Sequence, residues 1–454
     1  MFLAGIIPGP NEPPKTASNH YLAPLIDEFL VFWTPGVHFS QTAKFPGGRV
    51  ILCALILVIC DLPAARKISG FASYTSEHFC NVCHCKLSNP GLQDSGWTAW
   101  KIRTDREYRD AMKEYEAATT PEERESKFRE HGIRYSELTR LPYFNMVDCV
   151  VVDPAHNHFL GLINEHFTNI LGIHMQQFRE NSVLDVVFDR IPSDFHEQTV
   201  KGIEKVRNWL QYPFSTTFGP TRERGLKKLM RINAIALEFV LQKEVRGQGA
   251  MTSTHCGYVL QPEEMASIWS DLEQMLTPSW MTSVPSRLGQ FSHGKIKADQ
   301  WRALGTTYLA VSLIRVWALT LENTERSRRC YDIMRVTLSL ISAVLIATSD
   351  RVTQANADAY LAHITEYLDG IKLLFPEYKL KPNHHMAIHV HRYLTLFGPV
   401  HSWWAFPFER LVGRLQRIPN NGKVGTPSSF RQVALCLTPW QARWKTPWLV
   451  HILA

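Results

Sequence analysis

The strongest constraint on the fold is an unbroken apolar run, Val50-Ile-Leu-Cys-Ala-Leu-Ile-Leu-Val-Ile-Cys60, which stops at Asp61-Leu-Pro-Ala. It is too short to cross a bilayer and too continuous for a strand with one wet face. Bounded by turn signals, it predicts a central strand buried on both sides. Asp61 falls where the backbone leaves the core, a position at which α/β enzymes and metal-dependent nucleases hold ligands. A plainer role is open to the same residue, because Asp61 followed by Pro63 also begins a turn.

A second run of this kind, Cys149-Val-Val-Val-Asp153, again ends in an aspartate. Between the two lie a cysteine-bearing loop at 76–90 and a highly charged stretch at 101–140 that reads as exposed helices. Ahead of them, Leu22, Leu25, Ile26, Phe29, Leu30 and Trp33 form a helical stripe stopped by Thr34-Pro-Gly36. The chain opens with Phe2 to Ile7, which reads as a strand halted by Pro8-Gly-Pro10. From His158 the periodicity turns helical, and most of 195–380 reads as amphipathic helices punctuated by Pro213, Pro220, Pro262, Pro278 and Pro285. The apolar stretch 305–349 suits the core of a bundle, and a Pro/Gly/Asn linker follows at 419–427. The expected class is α/β plus α, a short α/β portion interrupted by a large helical insertion. Its boundaries fall at 1–75, 76–157, 158–395 and 396–454.

A chain of 454 residues with 45% apolar and 20% charged residues has ample material for a buried core and is not of disordered composition. The net charge of +7 permits nucleic-acid contact without requiring it. No stretch reaches the uninterrupted apolar length of a transmembrane helix, and Met1 to Pro10 lacks the basic leader of a signal peptide. No membrane partner is expected. The nine cysteines, several in one cluster, suit an intracellular protein with metal ligands or free thiols.

Three constellations carry chemistry. Cys80-Asn-Val-Cys83, beside His78, His84 and Cys85, has the spacing at which two thiolates reach one tetrahedral Zn²⁺; a redox pair and incidental loop cysteines are the other readings. Asp153-Pro-Ala-His156 offers a metal ligand or a bond that holds a turn, and the bond is favoured. Glu409 follows the aromatic stretch Trp403-Trp-Ala-Phe-Pro-Phe408 and opens a helix, where a first-turn acid is also ordinary. Four histidines at 384, 385, 389 and 391 have metal-site spacing, but the sequence favours a polar helix face. Asp61 and Glu409 together suggest paired carboxylates for divalent metals.

In order, Gly5-Ile-Ile-Pro-Gly-Pro-Asn-Glu-Pro13, Phe32-Trp-Thr-Pro-Gly36, Asp61-Leu-Pro-Ala-Ala-Arg66 with Gly70-Phe71, and Cys80-x-x-Cys83 resemble CACTA (En/Spm-type) transposases, especially those of mushroom-forming fungi. The likeness continues through Arg134-Tyr-Ser-Glu-Leu, Leu141-Pro-Tyr143, Asp153-Pro-Ala-His-Asn157, His293-Gly-Lys-Ile-Lys-Ala-Asp-Gln-Trp301 and Phe406-Pro-Phe-Glu-Arg410. The resemblance implies a ribonuclease-H-like core fragment split by the helical insertion, and DDE/D cut-and-paste DNA transposition with Mg²⁺ or Mn²⁺. Asp61 would be the second catalytic acid and Glu409 the third. Cys80, Cys83, Asp153 and His156 would match the family's Cys-x-x-Cys and Asp-x-x-His elements, structural and zinc-linked. Lys295, Lys297, Arg302, Arg410 and Arg414 would be phosphate contacts. The implied partners are transposon-end DNA and a second copy or a full-length transposase, in the nucleus. The family's first catalytic aspartate precedes the Gly5 segment, so the sequence is expected to be a truncated relic or an incomplete gene model, inactive alone. A non-catalytic zinc- and DNA-binding protein, or a degenerate reading frame, is the competing expectation.

Overall fold

The structure, a computed structural model, describes residues 13–14, 16–88, 91–173, 259–289, 295–318 and 324–416. The expected strand at 2–7, the helices expected between 195 and 258, and the 419–427 linker lie outside these residues.

Helix α1 (Ser18–Trp33) buries Leu22, Ile26, Phe29 and Phe32. That is the expected stripe shifted by one position at its end, so that Trp33 lies against the Tyr143 ring at 4.3 Å instead of entering the core. Strands β1 (Val37–Phe39) and β2 (Arg49–Ile51) pair antiparallel with Val37 opposite Ile51, and this two-stranded sheet is the only one among the described residues.

The run at 50–60 is therefore not one buried central strand. Its start joins the β1–β2 hairpin, and its end makes a single parallel bridge between Val58 and Val150. Val50, Leu52 and Ile56 are each at least half exposed. An apolar run records a preference for burial but cannot supply neighbouring strands. Among the described residues it finds strand partners only in β1 at its start and in 149–151 near its end, too few to cover it on both faces. The bridge still matters: Val58 N–H donates to the Cys149 carbonyl at 2.8 Å and Val151 N–H to Val58 at 3.3 Å. Because the pairing is parallel, Asp61 and Asp153, each three residues beyond the bridge, leave it at the same end.

Asp61 caps helix α2 (Leu62–Ser69), accepting the Ala64 N–H on Oδ1 at 2.8 Å. Gly70 ends that helix at φ 71°, where a side chain would strike the Arg134 carbonyl. Helices α3 (Asp105–Ala117) and α4 (Pro121–His131) start in capping boxes, Thr104 with Glu107 and Thr120 with Glu123. As expected they are solvated: α4 buries nothing and α3 only Tyr108, Ala111 and Met112. Together with α1, α2 and residues 133–150, α3 encloses a small core around Ile26, Phe71, Leu138 and Phe144.

From Val151 onward the chain builds a larger core, into which the cysteine loop, with Phe79, Cys80, Val82 and Cys83, also packs. It starts with wide π-type helical segments, Ala155–Ile163 and His166–Ile170, and continues through α5 (Pro262–Gln274), α6 (Ala298–Ala303) and α7 (Leu309–Leu313). The hairpin of α8 (Glu325–Ala347) and α9 (Gln354–Leu374) forms its largest helix pair. By length and composition α8 could cross a membrane, but more than half of its most apolar window is buried in the protein. Helices α10 (Pro382–Ile388) and α11 (Val390–Phe397) follow, then α12 (Phe406–Gln416). Segment Ala155–Ile163 packs against both α6 and α10. At Gly161 a Cβ would come within 2.8 Å of Asn383 Nδ2, so the missing side chain sets this approach.

Several histidines are sealed in this core. His158 Nε2 bonds the Tyr360 hydroxyl at 2.8 Å, and that hydroxyl donates to the Ala387 carbonyl at 2.7 Å. His166 Nε2 bonds Thr337 Oγ1 at 2.8 Å. Burial lowers His158 and His384 to about 4 and His166 to about 3.

Candidate metal centre and neighbouring acidic cluster

The tight turn after Phe79 points both Cys80 and Cys83 inward, with neither exposed. Facing them, the junction of α10 and α11 presents His385 and His389. Four residues apart on continuous helical backbone, they share one face. The four ligand atoms lie within 4.8 Å of one another. Cys80 Sγ is 3.3 Å from His389 Nε2, and Cys83 Sγ is 3.2 Å from His385 Nε2. The two sulfurs are 3.5 Å apart and the two imidazole nitrogens 3.0 Å. Ligands on a tetrahedral zinc stand about 3.3 to 3.8 Å apart, so these spacings are within a few tenths of an ångström of that polyhedron. The group can bind a metal such as zinc. Two thiolates and two neutral imidazoles around Zn²⁺ carry no net charge, which suits burial.

The polar-face expectation for the histidines is thus overturned for three of the four. His384, His385 and His389 are buried, and only His391 turns outward, to Asp358 at 3.0 Å. The helix carrying them closes the core over the cysteine loop, so its polar-looking residues point inward.

The surroundings favour ionised sulfur. Burial raises the Cys80 thiol, but the Cys83 S–H and the His389 and His385 rings outweigh it and hold Cys80 well below the thiol range. Cys83 is raised in turn, first by that shared bond and then by burial. Cys85, outside the group, is pushed up to about 12 by burial.

Two guanidinium groups complete the setting; sequence reasoning assigned neither a role, and Arg66 entered only as the end of the Asp61-Leu-Pro-Ala-Ala-Arg66 motif. Arg103 Nε donates to the Cys80 and Cys83 carbonyls at 3.1 and 2.9 Å, shaping the turn. Arg66, on α2, donates to the Phe79 carbonyl at 2.8 Å and meets Met386 Sδ at 3.9 Å. Burial draws Arg66 down to about 10, with Cys80 acting against it. The helix capped by Asp61 is thereby tied to both halves of the cysteine–histidine group.

Asp153 and His156 stand apart from that group. Asp153 Oδ2 accepts the His156 backbone N–H at 2.9 Å and its Nδ1–H at 2.6 Å, the turn-holding bond favoured from sequence. Oδ1 accepts the Ala405 N–H at 2.7 Å, just before α12. His156 Nε2 is 3.3 Å from Glu409 Oε1. Burial alone would lower His156; the Asp153 bond and charge, then Glu409 and Asp61, leave it raised. Glu409 therefore meets this imidazole by contact, and Asp61 adds only to the negative charge around it.

Lys295 and Lys297 are exposed ahead of α6, Arg302 pairs with Asp299 at 3.0 Å, and Arg410 Nε bonds the Phe406 carbonyl of its own helix at 3.3 Å. The Arg414 side chain lies outside the described residues. No protein-family model and no curated protein sequence matches this chain.

Proposed function

We propose that this chain is a DNA-processing protein of the ribonuclease-H-like DDE/D transposase type. In this reading Asp61 and Glu409 are two of the divalent-metal acids, and Cys80, Cys83, His385 and His389 hold a structural Zn²⁺. The observation that supports it is geometric: the parallel Val58–Val150 bridge sends Asp61 and Asp153 off at one end, and His156, bonded to Asp153, meets Glu409 at 3.3 Å. The donor set suits Mg²⁺ or Mn²⁺, which prefer carboxylate oxygens. Asp61 engages Oδ1 in the α2 cap, and Glu409 is 41% exposed, open to a phosphodiester from solvent. When bound, such a cation activates water and stabilises the leaving oxygen. In this reading the protein's own residues bring the two carboxylates together, while α2 and Arg66 link Asp61 to the buried zinc-type centre. Lys295, Lys297, Arg302, Arg410 and Arg414 are proposed phosphate contacts, and transposon-end DNA in the nucleus is the proposed substrate, with a second copy or a full-length transposase as protein partner.

A second reading is a non-catalytic zinc- and DNA-binding protein. It is favoured by Asp153: both its oxygens are occupied by bonds to His156 and Ala405, so it is no ready third acid. The deciding experiment incubates the purified chain with labelled duplex DNA, with and without Mg²⁺ or Mn²⁺, beside Asp61→Asn and Glu409→Gln. Metal-dependent cleavage lost in both variants supports the first reading. Salt-sensitive binding without cleavage leaves the second. Failure to bind DNA at all sinks both.

A further inference from the structure

We propose that His156, braced by Asp153, is a positioning residue that fixes the Glu409 carboxylate for a divalent cation; the inference rests on the reading of Asp61 and Glu409 as metal-binding acids. Asp153 is the anchor. Its side chain is almost inaccessible, and its two oxygens serve different elements. Oδ2 holds the His156 ring by Nδ1 at 2.6 Å, and Oδ1 holds the Ala405 N–H at 2.7 Å, where the chain enters the helix bearing Glu409. One buried carboxylate thus sets both the imidazole and the start of α12. The ring can then rotate little, and its remaining nitrogen faces Glu409 Oε1 at 3.3 Å.

Packing repeats the same connection. Phe159, one turn beyond His156, stacks on Phe406 of α12 at 5.7 Å between centroids, and Trp404 meets Phe406 edge-on at 4.9 Å. A glutamate side chain that is 41% exposed would otherwise sample several rotamers. Held at one oxygen by His156, Glu409 keeps the other for a cation. Outer partners that orient a ligating carboxylate in this way change metal affinity when removed, commonly by 10- to 100-fold.

Two other roles for His156 fit the contacts less well. As a zinc ligand it would need a free nitrogen near Cys80 and Cys83, but both of its nitrogens face carboxylates and the cysteine–histidine group has four ligands without it. As a turn-holding residue only, it would need Nδ1 alone, and the approach of Nε2 to Glu409 would have no role.

The test measures Mn²⁺ binding to the full chain by loss of the free-ion electron paramagnetic resonance signal, with zinc content determined on the same samples. The expected result is Mn²⁺ binding by the wild type that Asp61→Asn and Glu409→Gln abolish. His156→Ala should weaken it about 10-fold or more, and His156→Gln, which keeps one nitrogen, should recover part of the loss. Zinc should stay at one per chain throughout. If His156→Ala binds Mn²⁺ like the wild type, or loses zinc, the positioning role is wrong. Should His156→Ala not fold, His156→Gln decides: intermediate affinity supports the role, and wild-type affinity overturns it. A wild type that binds no Mn²⁺, or binding indifferent to Asp61 and Glu409, instead refutes the acidic-site reading itself.

Discussion

At the Cys80/Cys83/His385/His389 centre every ligand residue is buried and faces another ligand at 3.0–3.5 Å. Around His156, by contrast, Glu409 is 41% exposed and Asp61 engages one oxygen with the Ala64 N–H. The first arrangement is closed, with four ligands and no room for a substrate, which is how structural zinc sites are built. The second is more open, with the Glu409 carboxylate partly exposed. Arg66 joins them: it leaves the helix capped by Asp61 and bonds the residue before Cys80. The closed centre is thus placed to hold the framework on which the open one stands, and losing a group should cost very different amounts at the two.

The largest effect is expected at the closed centre. Binding free energy at a structural zinc site is folding free energy, about 10 kcal/mol or more, comparable with the whole stability of a typical domain. Cys83→Ser should lose zinc and the cooperative thermal transition together, and chelation of the wild type should do the same. Calorimetry with metal analysis checks this. A zinc-free Cys83→Ser that melts like the wild type would break the comparison, because the centre would then hold nothing together.

Much of this contrast was hidden in the sequence. Cys80-x-x-Cys83 was legible because both ligands sit in one turn. His385 and His389 were visible but misassigned, since their spacing fits a polar helix face as well as a metal site. What buries them is contact with a loop some 300 residues earlier, which local periodicity cannot register. Their spacing of four, read jointly with the cysteine pair, was the available signal. Arg103 gave none and Arg66 only its place in a motif, because a buried arginine looks like a surface one until its carbonyl partners are known. The run at 50–60 failed for the opposite reason: its composition was strong, but burial needs partners, and among the described residues it has strand partners only at its start, in β1, and at Val150 near its end. The parallel register that sends Asp61 and Asp153 off at one end was legible only as two similar runs, each ending in an aspartate.

The middle-sized effect separates acid sensitivity of the core from loss of zinc. His158, His166 and His384 are held below the ordinary histidine value by burial, to about 4, 3 and 4. Their folded pKa values lie below the unfolded one near 6.5, so the unfolded chain takes up protons first as the pH falls. Their full contribution is present above about pH 6.5 and is lost progressively toward pH 4, at up to about 3 kcal/mol per ring. Urea midpoints at pH 7.5 and 5.0 should fall accordingly. His158→Gln keeps a donor for Tyr360 and should shrink the drop by about 2 kcal/mol with zinc content unchanged. If the drop is the same in His158→Gln, the acid loss belongs to the metal centre and not to the core.

The smallest effect on stability, and the sharpest test of the contrast, is at Asp61. Its Oδ1 caps α2 by the bond to Ala64 N–H, and asparagine caps a helix about as well as aspartate. Asp61→Asn should therefore melt within about 0.5 kcal/mol of the wild type, whereas Asp61→Ala, which has no cap, should lose about 1 kcal/mol. Divalent-metal chemistry ranks the same pair differently, because asparagine removes the charge as completely as alanine does. Thermal melts and Mg²⁺-dependent DNA cleavage on the same three proteins separate the roles. Equal loss of cleavage in both variants, with stability lost only in Asp61→Ala, would show one side chain serving the fold with one oxygen and the cation with its charge. Cleavage retained in Asp61→Asn would reduce Asp61 to a helix cap and leave the open cluster without its second acid.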